Sequence, residues 1–283
     1  MEVKLLQPVK VVCTDDLGET LVDIMQTAGY SRPLMVTDSF VGSMPLVVAA
    51  RTKLEQVGVD VAVFDQVKPD PLCETVESGV EAFEAHKADS IIAIGGGSSM
   101  DVARGINIVR VNGGSIIEYT DPAKPIAPCN GMIAVPTTAG TGSEVSPTAV
   151  LTLDTDMPGL GTAGRKKSIT HPSCYARYAF ADPRYTASLP RKPTVSTALD
   201  ALAHAVEGYC NPACGDVAAA CAEKALPLIS GGLRWLTENP GLLPDAALRE
   251  ELLVGSLWAG LVLNAMGTAY PHPFGYILTE DFG

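Results

Sequence analysis

The sequence predicts an α/β domain with a parallel, doubly wound sheet, followed by an all-helical domain. Three observations predict it. Short apolar runs alternate with stretches of helical spacing up to about residue 185. Two of those runs end in loops dense in glycine and hydroxyl residues. Beyond Pro183, three long helical patterns follow with no strand between them. Alternation at this spacing is the pattern of parallel sheets covered by helices, and the change of character places a domain boundary near Asp182 to Pro190.

Taken in order, PLMVTD (33–38) reads as the first strand, with a helical stretch after it to about Gln56. DVAVFD (60–65) is a second strand, and TVESGVEAFEAHKA (75–88) is a helix with Val76, Val80 and Phe83 on one face. ADSIIAIGGG (88–97) is nearly all apolar before its glycines, as a strand covered on both faces should be. MIAVPTT (132–138), AVLTLD (149–154) and ARYAFAD (176–182) complete the strands. The helical part comprises TVSTALDALAHAVEGYC, AACAEKALPLISGGLRWL and AALREELLVGSLWAGLVLNAM.

Composition narrows the function classes. The 283 residues suffice for two domains. Twenty Lys+Arg against 32 Asp+Glu give a net charge of -12, which disfavours a nucleic-acid or anionic-membrane partner. Hydrophobic residues at 47% with charged residues at 18% exclude a disordered chain. No apolar run approaches the roughly 18 residues of a membrane span. MEVKLLQPVK lacks the apolar core of a signal peptide. Seven scattered cysteines, an odd number, suit reduced thiols in a cytoplasmic protein.

Gly95-Gly96-Gly97-Ser98-Ser99 follows a buried strand and opens a helix. Backbone N–H groups there can approach a phosphate, and the helix dipole favours negative charge. The plainer reading is a tight turn capped by Ser98 or Ser99. The loop is neither a G-x-G-x-x-G fingerprint nor a P-loop. A second loop, Pro136-Thr137-Thr138-Ala139-Gly140-Thr141-Gly142-Ser143-Glu144-Val145-Ser146, also follows a strand. Ligands of open parallel sheets sit outside the carboxyl ends of strands. Asp38 closes the first strand, where a carboxylate suits a ribose hydroxyl and also serves as a helix N-cap.

Asp200 and His204 are four apart in LDALAHAVEGY, on one helix face, so both can reach a single cation. An ordinary i,i+4 hydrogen bond is the bland alternative. The apolar neighbours Leu199, Leu202, Ala203, Ala205 and Val206 leave little room for solvation. Of the other histidines, His86 reads as a solvated helix position and His171 as a loop residue. His272, set among glycine, prolines and aromatics in GTAYPHPFGY, is the candidate third ligand. Oxygen and nitrogen donors without a thiolate suit iron(II), zinc or manganese. Cys210, Cys214 and Cys221 have no CxxC pair and read as buried free thiols.

AIGGGSSMD, PTTAGTGSEVSP, LDALAHAVEGY and PHPFGY occur in one order along the chain, and with them the sequence resembles the iron-containing (group III, metal-dependent) alcohol dehydrogenases. The resemblance implies a Rossmann-like NAD-binding domain (1–185) and a helical metal and substrate domain (186–283) of the dehydroquinate synthase-like fold. It implies a role for Asp38 on the adenosine ribose, favouring NAD over NADP. It places Gly96, Gly97 and Ser98 on the pyrophosphate, and Thr137, Thr138, Ser146, Thr148 and Lys166 along the cofactor. Asp70 stands where relatives often have Asn. Asp200, His204 and His272 correspond to three metal ligands, for Fe2+ or Zn2+. The family's fourth ligand, a histidine, is expected about fourteen residues after His272, past Gly283, so the C-terminal part is expected to be missing. Another family histidine, beside the nicotinamide, corresponds to Tyr276.

The implied activity is hydride transfer between NAD and a small alcohol or aldehyde at the metal, in a homo-oligomer. Two alternatives stay open. One is a polyol-phosphate dehydrogenase or dehydroquinate synthase-like enzyme, which needs a basic cluster not seen near the ligand segments. The other is a nucleotide-binding or assembly subunit with an impaired metal site.

Overall fold

A computed structural model describes residues 7–156, 161–269, 271, 272 and 275. The chain divides into two compact units. One comprises Val9–Val135 and Pro147–Phe180; the other includes Pro136–Ser146 and the chain from Ala181 onward.

The first unit is built on a six-stranded sheet. Its strands are β1 (Lys10–Cys13), β2 (Pro33–Val36), β3 (Ala62–Phe64), β4 (Ser90–Gly95), β5 (Met132–Pro136) and β8 (Tyr178–Ala181), in the order β1-β8-β5-β4-β2-β3. β2 pairs in parallel with both β3 and β4, with Met35 opposite Val63 and Ile92. β5 pairs in parallel with β8. Every residue of β2, β4 and β5 is buried, the reason these strands read as unbroken apolar runs. Helices α1 (Leu17–Ala28), α2 (Ser39–Gly42), α3 (Pro45–Gln56), α4 (Cys73–His86) and α5 (Gly97–Asn112) connect them. Val76, Val80 and Phe83 are buried on α4 as the spacing predicts.

Three details differ from the sequence reading. The helical stretch after β2 is two helices, because Pro45 starts α3 afresh at its first turn. AVLTLD forms β6 (Thr148–Thr152), which leaves the main sheet and pairs antiparallel with β7 (Lys166–Thr170) in a separate ribbon. Ser98 and Ser99 do not cap α5. Gly96 takes the N-cap position, and both serines lie within the first helical turn.

The fully buried Arg104 joins these parts. Its guanidinium donates to the Cys174 and Thr148 carbonyls and pairs with Asp101 at 3.2 Å. A buried guanidinium needs this many acceptors to offset lost hydration.

The second unit is carried by α6 (Arg191–Tyr209), α7 (Asp216–Glu238) and α8 (Ala246–Met266). Arg191 donates to the carbonyls of Leu236, Asn239 and Leu242, satisfying the C-terminal end of α7 and the loop after it. The buried Arg249 on α8 donates to Leu189 O and Thr194 Oγ1 at the start of α6. The 136–146 loop packs onto these helices through glycine. A Cβ on Gly140 would lie 2.5 Å from the Thr197 carbonyl oxygen on α6, and one on Gly142 would lie 2.5 Å from Gly260 Cα on α8. No helix among the described residues is long and apolar enough to cross a membrane.

Candidate metal centre and cofactor-binding residues

Asp200 and His204 stand one turn apart on α6. His272, from the segment after α8, completes a group whose ligand atoms all lie within 4.8 Å of one another. Asp200 Oδ1 is 3.7 Å from His204 Nε2 and 3.3 Å from His272 Nε2. The two imidazoles stack, with centroids 4.6 Å apart and planes 12° from parallel. His204 is buried, and its Nδ1 makes no hydrogen bond of normal geometry.

The apolar neighbours predicted to shield this pair do so only in part: Ala205 is buried and Leu202 and Ala203 are half-buried. Leu199 and Val206 are exposed, whereas Ala201, Ala205 and Gly208, on the inward side of α6, are buried. The helix buries its small residues and with them the ligand face.

Charge is shared across the group. Burial opposes ionisation of Asp200, yet the hydrogen bond from His272 and the charges of both histidines hold its pKa below the ordinary carboxylate value. Burial pushes the His204 pKa down, and the neighbouring His272 adds to this against the pull of Asp200. Burial also opposes protonation of His272, but its hydrogen bonds to Asp200 and Glu207 outweigh that and raise it. One carboxylate oxygen facing two imidazole nitrogens is a donor set suited to a divalent transition metal. The three residues fit such an ion.

Glu207 was not predicted. It is buried, and its Oε1 accepts a hydrogen bond from His272 Nδ1 at 2.7 Å, while Oε2 accepts from the Ala269 N–H. The available signal was spacing: Glu207 follows His204 by three residues and so shares its helix face.

The predicted cofactor residues fall in both units. In the first, Asp38 caps α2, with Oδ1 accepting from the Phe40 and Val41 N–H groups at 3.0 and 2.9 Å. Its Oδ2 is left for a further partner. Gly96 and Gly97 form the start of α5, just after β4, and no side chain caps the first N–H groups of this 16-residue helix. A Cβ on Gly95 would lie 2.2 Å from Ser99 Oγ, which fixes glycine at that turn. Ser98 is half-buried beside Gly97. Thr148 opens β6, its hydroxyl 2.9 Å from that of Thr170. Lys166 Nζ pairs with Asp70 at 2.5 Å. Asp70 holds a positive φ of 52°, unusual for a non-glycine residue and set between two prolines.

In the second unit, Thr137 is buried and Thr138 half-buried, and their hydroxyls make no hydrogen bond among the described residues. Ser146 is buried at the end of the same loop. Tyr276 lies outside the described residues.

His171 accepts the Ser173 N–H and caps the turn at Pro172–Cys174. His86 is held by the Asp60 carbonyl, 2.8 Å from its Nε2. Neither joins the metal group. Of the three clustered cysteines only Cys221 is buried; Cys210 is exposed and Cys214 intermediate, against the expectation of three buried thiols.

The family model for iron-containing alcohol dehydrogenase matches residues 8–183, and that for the C-terminal part of the Fe-containing alcohol dehydrogenase family matches residues 194–283. The NAD-dependent methanol dehydrogenase of Bacillus methanolicus is 33% identical over 251 residues, 88% of this chain and 62% of that protein. Alcohol dehydrogenase 4 of Schizosaccharomyces pombe is 30% identical over 259 residues, 92% of this chain and 59% of that protein. The chain thus spans about three fifths of the length of these curated relatives. The crystal structure of sulfoacetaldehyde reductase from Bifidobacterium kashiwanohense in complex with NAD+ superposes with a TM-score of 0.89 at 28% identity, covering 100% of this chain and 72% of that one.

Proposed function

The chain belongs to the iron-containing alcohol dehydrogenase family, and on that premise we propose that it takes part in NAD-linked interconversion of a small alcohol and its aldehyde or ketone. The observation that carries the reading is the convergence of Asp200, His204 and His272 within 4.8 Å.

Asp200, His204 and His272 would hold an iron(II) or zinc ion. Such an ion supplies Lewis-acid polarisation of an alcohol or carbonyl oxygen, and NAD supplies the redox chemistry. The remaining work belongs to the chain. Asp38 offers Oδ2 to a ribose hydroxyl and repels a 2′-phosphate, which favours NAD over NADP. Gly96, Gly97 and Ser98 present helix N–H groups to the pyrophosphate. Thr137 and Thr138 offer unengaged hydroxyls, and Ser146, Thr148 and Lys166 extend the cofactor-binding set. No side chain beyond the ligands is assigned a proton-transfer role. Residues 1–185 are read as the NAD-binding domain and 186–283 as the metal and substrate domain. The protein is read as a cytoplasmic homo-oligomer; the odd, dispersed set of free cysteines supports the compartment.

The test is a screen of small alcohols and aldehydes with NAD(H), before and after chelation and with iron(II) or zinc returned. The reading requires turnover that chelation abolishes and metal restores. Turnover untouched by chelation, or by Asp200→Ala combined with His204→Ala, would refute it.

A further inference from the structure

We propose that Glu207 is a positioning residue for the metal ligand His272, holding the ring so that Nε2 presents its lone pair to the ion. This rests on the metal reading above and adds to it a residue that does not itself touch the ion.

The geometry carries the argument. A carboxylate only accepts hydrogen bonds, so the 2.7 Å contact between Glu207 Oε1 and His272 Nδ1 requires the proton on Nδ1. The opposite ring nitrogen, Nε2, faces Asp200 Oδ1 at 3.3 Å, where it donates in the protonated ring and offers its lone pair once an ion takes that proton's place. In the neutral ring the Glu207 bond keeps the one proton on Nδ1 and leaves Nε2 for metal ligation.

Its own position is fixed from two sides. Oε2 is bound by the Ala269 N–H, which sets the carboxylate plane. The next residue, Gly208, lies so close to α8 that a Cβ there would be 2.2 Å from Val262 Cγ1, so α6 and α8 are closely packed beside Glu207. The Glu207 side chain is only 5% exposed and that of His272 12%, so water competes little for their bond. Asp200, His204 and Glu207 share one face of α6, two as ligands and one as the orienter of a ligand from a segment 65 residues on.

The test measures Co2+ binding to metal-free protein by chelator competition and by the visible absorption of the bound ion. Glu207→Ala is expected to weaken Co2+ about 10–100-fold and to change the spectrum. Glu207→Gln keeps the shape but replaces one acceptor with a donor, so it can satisfy either His272 or Ala269 and not both. It is expected to fall between Glu207→Ala and the parent, and it decides the matter if the alanine variant does not fold. Parent-like affinity and spectrum in the folded variants would overturn the proposal and leave Glu207 a staple for the 267–269 segment. Failure of the metal reading looks different: the parent would bind no Co2+, or would bind it as well as Asp200→Ala does, and both proposals would fall together.

Discussion

Gly142 and Gly260 touch backbone to backbone: a Cβ on Gly142 would lie 2.5 Å from Gly260 Cα, and one on Gly260 would lie 2.9 Å from Gly142 Cα. Gly142 also has a φ of 61°, which L side chains rarely adopt. This contact holds the hydroxyl-rich loop on α8. Gly260→Ala is expected to cost about 1–3 kcal/mol through overpacking, and Gly142→Ala more because of its φ. Gly231, in α7 with open space around it, is the counterpart. Gly231→Ala is expected to stabilise by about 0.4–1 kcal/mol. Urea unfolding midpoints check all three; equal effects at Gly260 and Gly231 would contradict the packing account.

Asp38 is expected to carry two separable roles. Asp38→Asn keeps a capping oxygen for the Phe40 and Val41 N–H groups but loses the charge that opposes a 2′-phosphate. The ratio of kcat/KM for NAD to that for NADP should fall about tenfold or more, equivalent to roughly 1.4 kcal/mol, with little change in unfolding midpoint. An unchanged ratio would remove Asp38 from coenzyme selection.

Thiol labelling reports on burial. Desolvation, aided by the negative charges of Asp154 and Glu77, pushes the Cys73 thiol up to about 12. The thiolate is the reactive form, so Cys73 should stay unlabelled in the folded protein from neutral pH to about pH 10. Cys13 and Cys210 are exposed and should be labelled readily. Mass mapping of alkylated peptides across that pH range is the check; labelling of Cys73 at neutral pH without unfolding would count against the packing of α4.

The sequence was most readable where one segment decides its own environment. β2, β4 and β5 are buried throughout, so their apolar runs needed no partner to be recognised. β1 escaped notice because KVVC is mostly exposed at a sheet edge, and β7 because two lysines, a serine and a threonine fill four of its five positions. The placement of β6 in a ribbon depends on β7, so its alternating pattern alone pointed to the main sheet. The same division holds at the site. Asp200 and His204 follow from helical spacing within one segment. The bond from His272 to Glu207 joins positions 65 residues apart and is fixed only by how α8 returns to α6.

Asp200, His204 and His272 are proposed to hold one divalent ion together. Equilibrium dialysis of metal-free protein against iron(II) or zinc, followed by metal analysis, tests it most directly. The account predicts about one ion per chain in the parent and a large loss of affinity in Asp200→Ala, His204→Ala and His272→Ala alike, since each supplies one of few ligands. Retention of the ion at full stoichiometry and affinity by these variants would contradict it.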